Sequence, residues 1–189
     1  MTNFITRPTP TREKKKINLY KLIVARSDIT AALTACRLFL EKVDRLGHEL
    51  YYPLYCSIII CYGRPFSDNK PLGALPSQWR KFSSPRLQVT HNELIDARNG
   101  LIAHSDLKVR KVNIVPEGAK VGETDLQHHG IGLTIESYYF PLSRYRDIHD
   151  TCFELGNRLN QAVEDEIEKL YGQMDLPKRA FSLRFDEGL

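Results

Sequence analysis

The sequence feature that most constrains the fold is a long apolar stripe towards the C-terminal end of the chain. From about Leu142 onward, apolar residues recur three or four positions apart, which is the spacing of one face of an α-helix. The stripe consists of Tyr145, Ile148, Cys152, Leu155, Leu159, Ala162, Val163, Ile167 and Leu170. A helix of this length with one apolar face must bury that face against a partner helix. The sequence therefore predicts a mainly α fold.

Further helices are predicted earlier in the chain. Ser27 and Asp28 can cap a helix, and the apolar residues that follow recur at helical spacing until Gly47. Residues 50–62 are apolar almost all round, which predicts a buried central helix that is too short to span a membrane. A third helix is predicted over residues 87–104. We expect the four helices to pack as one bundle.

A two-stranded β-ribbon is predicted between the third helix and the last one. Two stretches within about residues 107–140 are rich in β-branched and aromatic residues, and Pro116 and several glycines separate them. A chain of 189 residues can bury one substantial core. We therefore predict a single helical domain over residues 27–174, interrupted by the ribbon and followed by a C-terminal tail over residues 175–189.

The first 26 residues carry most of the excess positive charge of the chain, whose formal net charge is +4. Glu13 is the only acidic residue among seven basic ones: Arg7, Arg12, Lys14, Lys15, Lys16, Lys21 and Arg26. Residues 1–26 are predicted to form a flexible basic arm. Such an arm could contact nucleic acid, although a basic terminus is more often simply solvated.

Neither a metal site nor a cofactor is predicted. The four cysteines lie among apolar neighbours without CxxC spacing, so we expect reduced core residues: Cys36, Cys56, Cys61 and Cys152. The pair His128 and His129 lacks the acidic or cysteine partners of a metal site, which leaves metal binding there as a weak alternative. Because the N-terminus lacks the apolar segment of a secretory signal, we expect a cytoplasmic protein without membrane contact.

Arg98 is the residue whose position most needs an explanation. On the wheel of the predicted third helix it lies at the centre of the apolar face formed by Leu94, Ile95, Leu101 and Ile102. Burying an unpaired charge there would cost several kcal/mol or more. Arg98 could pair with an internal carboxylate such as Glu93, Asp96 or one on the last helix. Alternatively, the face opens onto a cleft or a partner subunit, where Arg98 binds phosphate.

Two histidines could act together with Arg98. His104 follows six residues later, about 120° around an ideal helix, and a long arginine side chain could converge with it on one ligand. Gly100 lies between them and weakens the helix, so a bend there could improve the convergence. A histidine near a helix end is otherwise an ordinary cap or surface group. His91 lies close to Arg98 on the same wheel and could line the same cleft.

The segment Asp-Ala-Arg-Asn-Gly-Leu-Ile-Ala-His-Ser-Asp, residues 96–106, resembles the active-site pattern of HEPN domains. That pattern has an arginine, commonly a polar residue next, four to six intervening positions in all, and then a histidine. Here Arg98, Asn99 and His104 match it with five residues intervening, and the Ala-His-Ser-Asp ending is similar to HEPN proteins of the abortive-infection and toxin type. The resemblance is confined to these eleven residues, and it implies a bundle of four to five helices.

The resemblance also implies an activity, namely metal-independent cleavage of RNA, in which the 2′-hydroxyl attacks the adjacent phosphate to leave a cyclic phosphate. His104 would serve as general base or acid, Arg98 would hold the phosphate, and Asn99 would position the RNA or orient His104. Active members usually form homodimers that share the site, and a toxin of this type could have an antitoxin protein as partner. Many HEPN domains have lost activity, so a non-catalytic module that binds nucleotides, RNA or proteins is the alternative.

Overall fold

Two long helices organise the fold, α1 (Pro10–Lys42) and α4 (Tyr145–Tyr171). They are seen in a computed structural model that describes residues 10–68, 70, 72–102, 110–120, 129–137, 140–174 and 178–183. Within these residues, two shorter helices pack with the long pair, α2 (Tyr51–Gly63) and α3 (Pro85–Ala97). The prediction of a mainly α bundle with a small ribbon is confirmed.

The core lies where α1, α2 and α4 meet. The apolar stripe of α4 is buried almost throughout, with Tyr145, Leu155 and Leu159 fully inaccessible, whereas Ile167 remains 42% exposed. Phe39 of α1 stacks on Tyr145, with 3.4 Å between the ring centroids. Full burial of each large apolar side chain stabilises the fold by about 1.5–3 kcal/mol. The prediction of a long final helix packed through this stripe is therefore confirmed.

The predicted start of the first helix is wrong. α1 begins at Pro10, and Ser27 and Asp28 lie in its middle instead of capping its N-terminus. The reason is that the apolar stripe continues towards the N-terminus through Leu19 and Leu22, both buried in the core. A continuous buried face outweighs the small helix preference lost at serine and aspartate. Of the residues predicted to form a flexible arm, those from Pro10 onward are thus helical, while residues 1–9 lie outside the described part.

α2 and the segment after it close one side of the bundle. α2 has nearly the predicted bounds, with Tyr55, Ile58 and Ile59 buried, and it runs directly into a short 3-10 helix (Arg64–Phe66). A second 3-10 helix (Ser77–Arg80) follows, in which Trp79 is buried. None of the described helices is both long and apolar enough to cross a membrane.

The predicted ribbon is present as two antiparallel strands, β1 (Arg110–Val115) and β2 (Gly132–Ser137). Residues 107–109 and 138–139, towards the outer ends of the predicted stretches, lie outside the described part. In the register, Ile114 is opposite Leu133, and these two side chains are 70% and 71% exposed. This cross-strand pair therefore adds nothing to the helical core.

The C-terminal tail has one described contact with the bundle. The ring of Phe181 lies edge-on to that of Tyr171, with 6.0 Å between centroids, although Phe181 remains 52% exposed. The other residues of the predicted tail that the structure describes, 178–180 and 182–183, have no regular secondary structure.

The cysteines are free, as predicted, and Cys36 and Cys152 are buried. Burial raises the pKa of the Cys36 thiol to about 12, and it raises that of Cys152 as well. Both thiols therefore stay protonated at neutral pH, which makes them core residues instead of nucleophiles.

Candidate functional site

The candidate site lies at the C-terminal end of α3, where the helix changes its hydrogen-bond pattern. α3 ends at Ala97 and continues as a π-helical turn (Arg98–Ile102). Gly100 lies within this turn, and a glycine lowers the stability of a regular helix by about 1 kcal/mol. The angular positions that a regular α-helix would give to the residues after Arg98 therefore do not apply. Single π-helical turns occur frequently at functional sites.

The aliphatic part of Arg98 lies against the end of α2. A Cβ atom added to Gly63 would meet Cγ of Arg98 at 2.5 Å and its Cβ at 3.0 Å. Only a glycine at position 63 allows this approach. The apolar environment predicted for Arg98 therefore surrounds its hydrocarbon stem, with the buried Leu94 and Ala97 on the same helix. Sequence reasoning missed Gly63, because no local pattern connects two residues 35 positions apart.

The guanidinium of Arg98 has a neutral partner. Nη1 donates a hydrogen bond to Oδ1 of the exposed Asn99 at 3.0 Å. Among the described residues, Arg98 forms no ion pair with Glu93, with Asp96 or with a carboxylate of α4, which were the structural alternatives. This hydrogen bond uses one of the five N–H donors of the guanidinium, and a guanidinium is suited to binding an anionic ligand. Asn99 therefore orients Arg98, and its predicted contact with RNA or with His104 stays a prediction, because His104 lies outside the described residues.

The nearby carboxylates are used in a different network, which joins α3 to α4. Arg144, in a 3-10 turn (Leu142–Arg144) before α4, donates to Glu93 and to Asp147, and it reaches Thr90 Oγ1 at 3.1 Å. Arg86 also donates to Asp147. Sequence reasoning missed this network. The signal available was the three-residue spacing of Arg144 and Asp147, which gives no hint of the contact with α3.

His91 lies in the core, which corrects the expectation that it lines a cleft beside Arg98. The side chain is only 2% exposed, and its Nδ1 is 2.8 Å from the hydroxyl of Tyr62. The rings of Phe66 and Phe82 lie 4.9 and 5.4 Å from the imidazole. Burial and, to a smaller extent, the nearby cations Arg80 and Arg158 together lower the pKa of His91 to about 4. His91 is therefore a neutral core residue without access to substrate.

His104 lies outside the described residues, so its convergence with Arg98 stays a prediction. His128, of the weak metal alternative, lies outside them as well, and His129 is exposed. Within the described part of the chain, no group of three or more histidine, cysteine, aspartate or glutamate side chains is placed to hold a metal ion.

Comparison with known protein families, curated proteins and solved structures finds no match for this chain. What can be said of its function therefore depends on the residues themselves and on the short segment around Arg98.

Proposed function

We propose that this protein is a metal-independent endoribonuclease of HEPN type, with Arg98 and His104 as its catalytic residues. The observation that carries the proposal is the state of Arg98. Its stem is packed over Gly63 at a π-helical turn, and its guanidinium is oriented by Asn99 without a described carboxylate partner. A fixed but unneutralised cation is suited to a phosphate of the substrate.

The proposed reaction needs only acid–base and electrostatic catalysis. The 2′-hydroxyl of RNA loses its proton to a base and attacks the adjacent phosphorus, while the 5′-oxygen leaves and takes up a proton. His104 serves in proton transfer, because an unperturbed imidazole titrates near neutral pH. Arg98 stabilises the extra negative charge on the phosphorane. The products are a 2′,3′-cyclic phosphate and a 5′-hydroxyl.

The proposal includes a homodimer in which two such segments face each other, as the resemblance implies. Toxicity towards the host cell or towards infecting phage, restrained by an antitoxin protein, would fit an enzyme of this kind. Size-exclusion chromatography with light scattering tests the dimer. A monomer at the concentrations at which RNA is cleaved would contradict the shared site.

The decisive experiment compares the wild type with His104→Ala and Arg98→Ala on mixed RNA in EDTA. We expect the wild type to leave cyclic phosphate ends and each variant to lose about 10²-fold or more, since a general acid or base contributes about 10²–10⁴-fold. His129→Ala, which removes an exposed histidine, is the matched control and should cleave like the wild type. Cleavage by His104→Ala at the wild-type rate would overturn the mechanism.

The second candidate is a non-catalytic module that binds RNA or nucleotides. The same observation supports it, because an oriented and unneutralised Arg98 is equally suited to binding without chemistry. This candidate predicts that the wild type binds RNA without cutting it, that His104→Ala binds equally well, and that Arg98→Ala binds more weakly. Electrophoretic mobility shifts beside the cleavage assay distinguish the two candidates.

A further inference from the structure

A cleft of about 260 Å³ lies between α1 and the segment that follows α2. One wall is formed by a single face of α1. It includes Lys21, Val24 and Asp28, which are three or four positions apart and so lie on the same side of the helix. The opposite wall comprises Arg64, Pro65, Leu72, Gly73 and Leu75. The volume is slightly below the roughly 300–1,000 Å³ of pockets that enclose drug-sized ligands. The cleft therefore suits a ligand no larger than a single nucleotide.

The lining of this cleft combines positive charge with apolar surface. Arg64 Nη1 lies 3.3 Å from Oδ1 of Asp28, which holds the arginine at the rim, and its side chain is 58% exposed. Lys21 Nζ lies 3.4 Å from the carbonyl oxygen of Ala74. The described lining contains the two cations Lys21 and Arg64 and the carboxylate Asp28, while Val24 is 39% exposed and offers apolar surface. Phosphate and a flat, largely apolar ring are the groups that such a lining can bind.

The cleft adjoins the candidate active site through the end of α2. The hydrocarbon stem of Arg98 packs against Gly63, and the next residue, Arg64, lines the cleft. The two arginines are thus positioned by consecutive residues of one helix end. The main chain of Arg64 is therefore close to the stem of Arg98, and both residues lie at this end of α2.

We propose that this cleft binds one nucleotide of single-stranded RNA next to the phosphate held by Arg98. Arg64 and Lys21 bind the phosphate of that nucleotide, and its base lies against Val24 and Leu72. The inference rests on the proposed function, since it makes the cleft a subsite of the same substrate. A free mononucleotide presents the same chemistry, so the experiment includes it as a separate probe.

Binding is measured by fluorescence anisotropy of a short labelled single-stranded RNA over a salt series, in EDTA and in the His104→Ala background. We expect Arg64→Ala to weaken binding and to lower the slope of log K against log salt by about 0.7, which corresponds to one phosphate contact on a single strand. Val24→Gln should weaken binding with the slope unchanged, because it alters only the apolar wall.

Lys42→Ala is the matched control, because Lys42 lies on the same helix about 30 Å from Lys21 and, among the described residues, pairs with Glu41. It should bind RNA like the unaltered background, and thermal unfolding verifies that each variant is folded. If Arg64→Ala and Val24→Gln are folded and bind RNA like the control, the cleft proposal is wrong.

Adenosine monophosphate and inorganic phosphate distinguish the sources of the ligand. Competition with RNA by the mononucleotide at concentrations where phosphate has no effect supports a site for phosphate and base together. Equal competition by both probes overturns the role given to the apolar wall. Because these assays measure binding, they are independent of cleavage. An inactive wild type with the predicted binding losses contradicts the ribonuclease alone, and an active wild type without them contradicts the cleft alone.

Discussion

Replacing Gly63 with alanine tests whether Arg98 is held where the structure places it. Gly63 has φ −79° and ψ −22°, which alanine adopts without strain. In a helical conformation with free space, the exchange would stabilise the protein by up to about 1 kcal/mol. The added methyl group, however, would lie 2.5 Å from Cγ of Arg98. That atom is close to the main chain, so rotation of the far end of the side chain cannot relieve the contact.

The expected magnitude follows from these opposing effects. Overpacking of this kind costs about 1–3 kcal/mol. After the gain in helix preference is subtracted, Gly63→Ala should destabilise the protein by about 1 kcal/mol, which lowers Tm by about 2–4 °C in a protein of this size. In an Arg98→Ala background, Cγ is absent and only the tight contact of 3.0 Å with Cβ remains, so the same change should cost less than in the wild type.

The assay is a double-mutant cycle by urea unfolding of the wild type, both single variants and the double variant. Gly156→Ala is the matched control, because its new Cβ would meet Ile29 Cγ2 at 3.7 Å, an ordinary contact between α4 and α1. It should stabilise the protein by about 1 kcal/mol. A Gly63→Ala protein as stable as Gly156→Ala, or a coupling energy near zero, would refute the position assigned to the Arg98 stem.

Three further predictions concern the packing around the site. Because burial lowers the pKa of His91 from 6.5 to about 4, the unfolded chain binds a proton below pH 6.5 that the folded chain does not. The free energy of unfolding should therefore fall by up to about 3 kcal/mol between pH 6.5 and 4, and it should fall less in His91→Gln. Equal losses of unfolding free energy in the wild type and in His91→Gln, measured by urea unfolding, would contradict this prediction. Asp147→Asn, which weakens the pair with Arg86 of α3 and the local pair with Arg144, should cost about 1–3 kcal/mol; a Tm within 1 °C of wild type would argue against the network. Arg158→Met removes hydrogen bonds to the carbonyl oxygens of Gln78 and Lys81, so proteolysis should become faster between α2 and α3; an unchanged digestion pattern would count against this anchor.

The helices and the ribbon could be predicted because their signals are local and periodic. The stripe of α4 and the apolar run of α2 give the positions of these helices within a few residues. The start of α1 was misjudged because Ser27 and Asp28 form a typical cap sequence. The stripe that continues through Leu19 and Leu22 determines where α1 begins, and this stripe is also visible in the sequence.

The candidate site was only partly accessible from the sequence. The helical wheel correctly places Arg98 next to apolar residues. It cannot show whether these residues surround the hydrocarbon stem of Arg98 or its charged guanidinium. His91 shared that wheel, yet its neighbours Tyr62 and Phe66 belong to other elements and place it in the core. Which residues of distant segments meet depends on tertiary packing, and the contact of Arg98 with Gly63 is of this kind.

The network around Arg144 has a consequence for how this protein can evolve. The last described residue of the π-helical turn is Ile102, and the chain contacts the bundle again at Phe140, whose carbonyl oxygen accepts a hydrogen bond from the hydroxyl of Tyr51. Four residues later, Arg144 pairs with Glu93 of α3. The intervening segment is thus an insertion between α3 and α4 whose C-terminal end is anchored to α3. Since doubling the length of a loop costs only about 0.6 kcal/mol, such an insertion can be lengthened, shortened or exchanged while the bundle persists. The helical body and its appendage can therefore diverge at different rates.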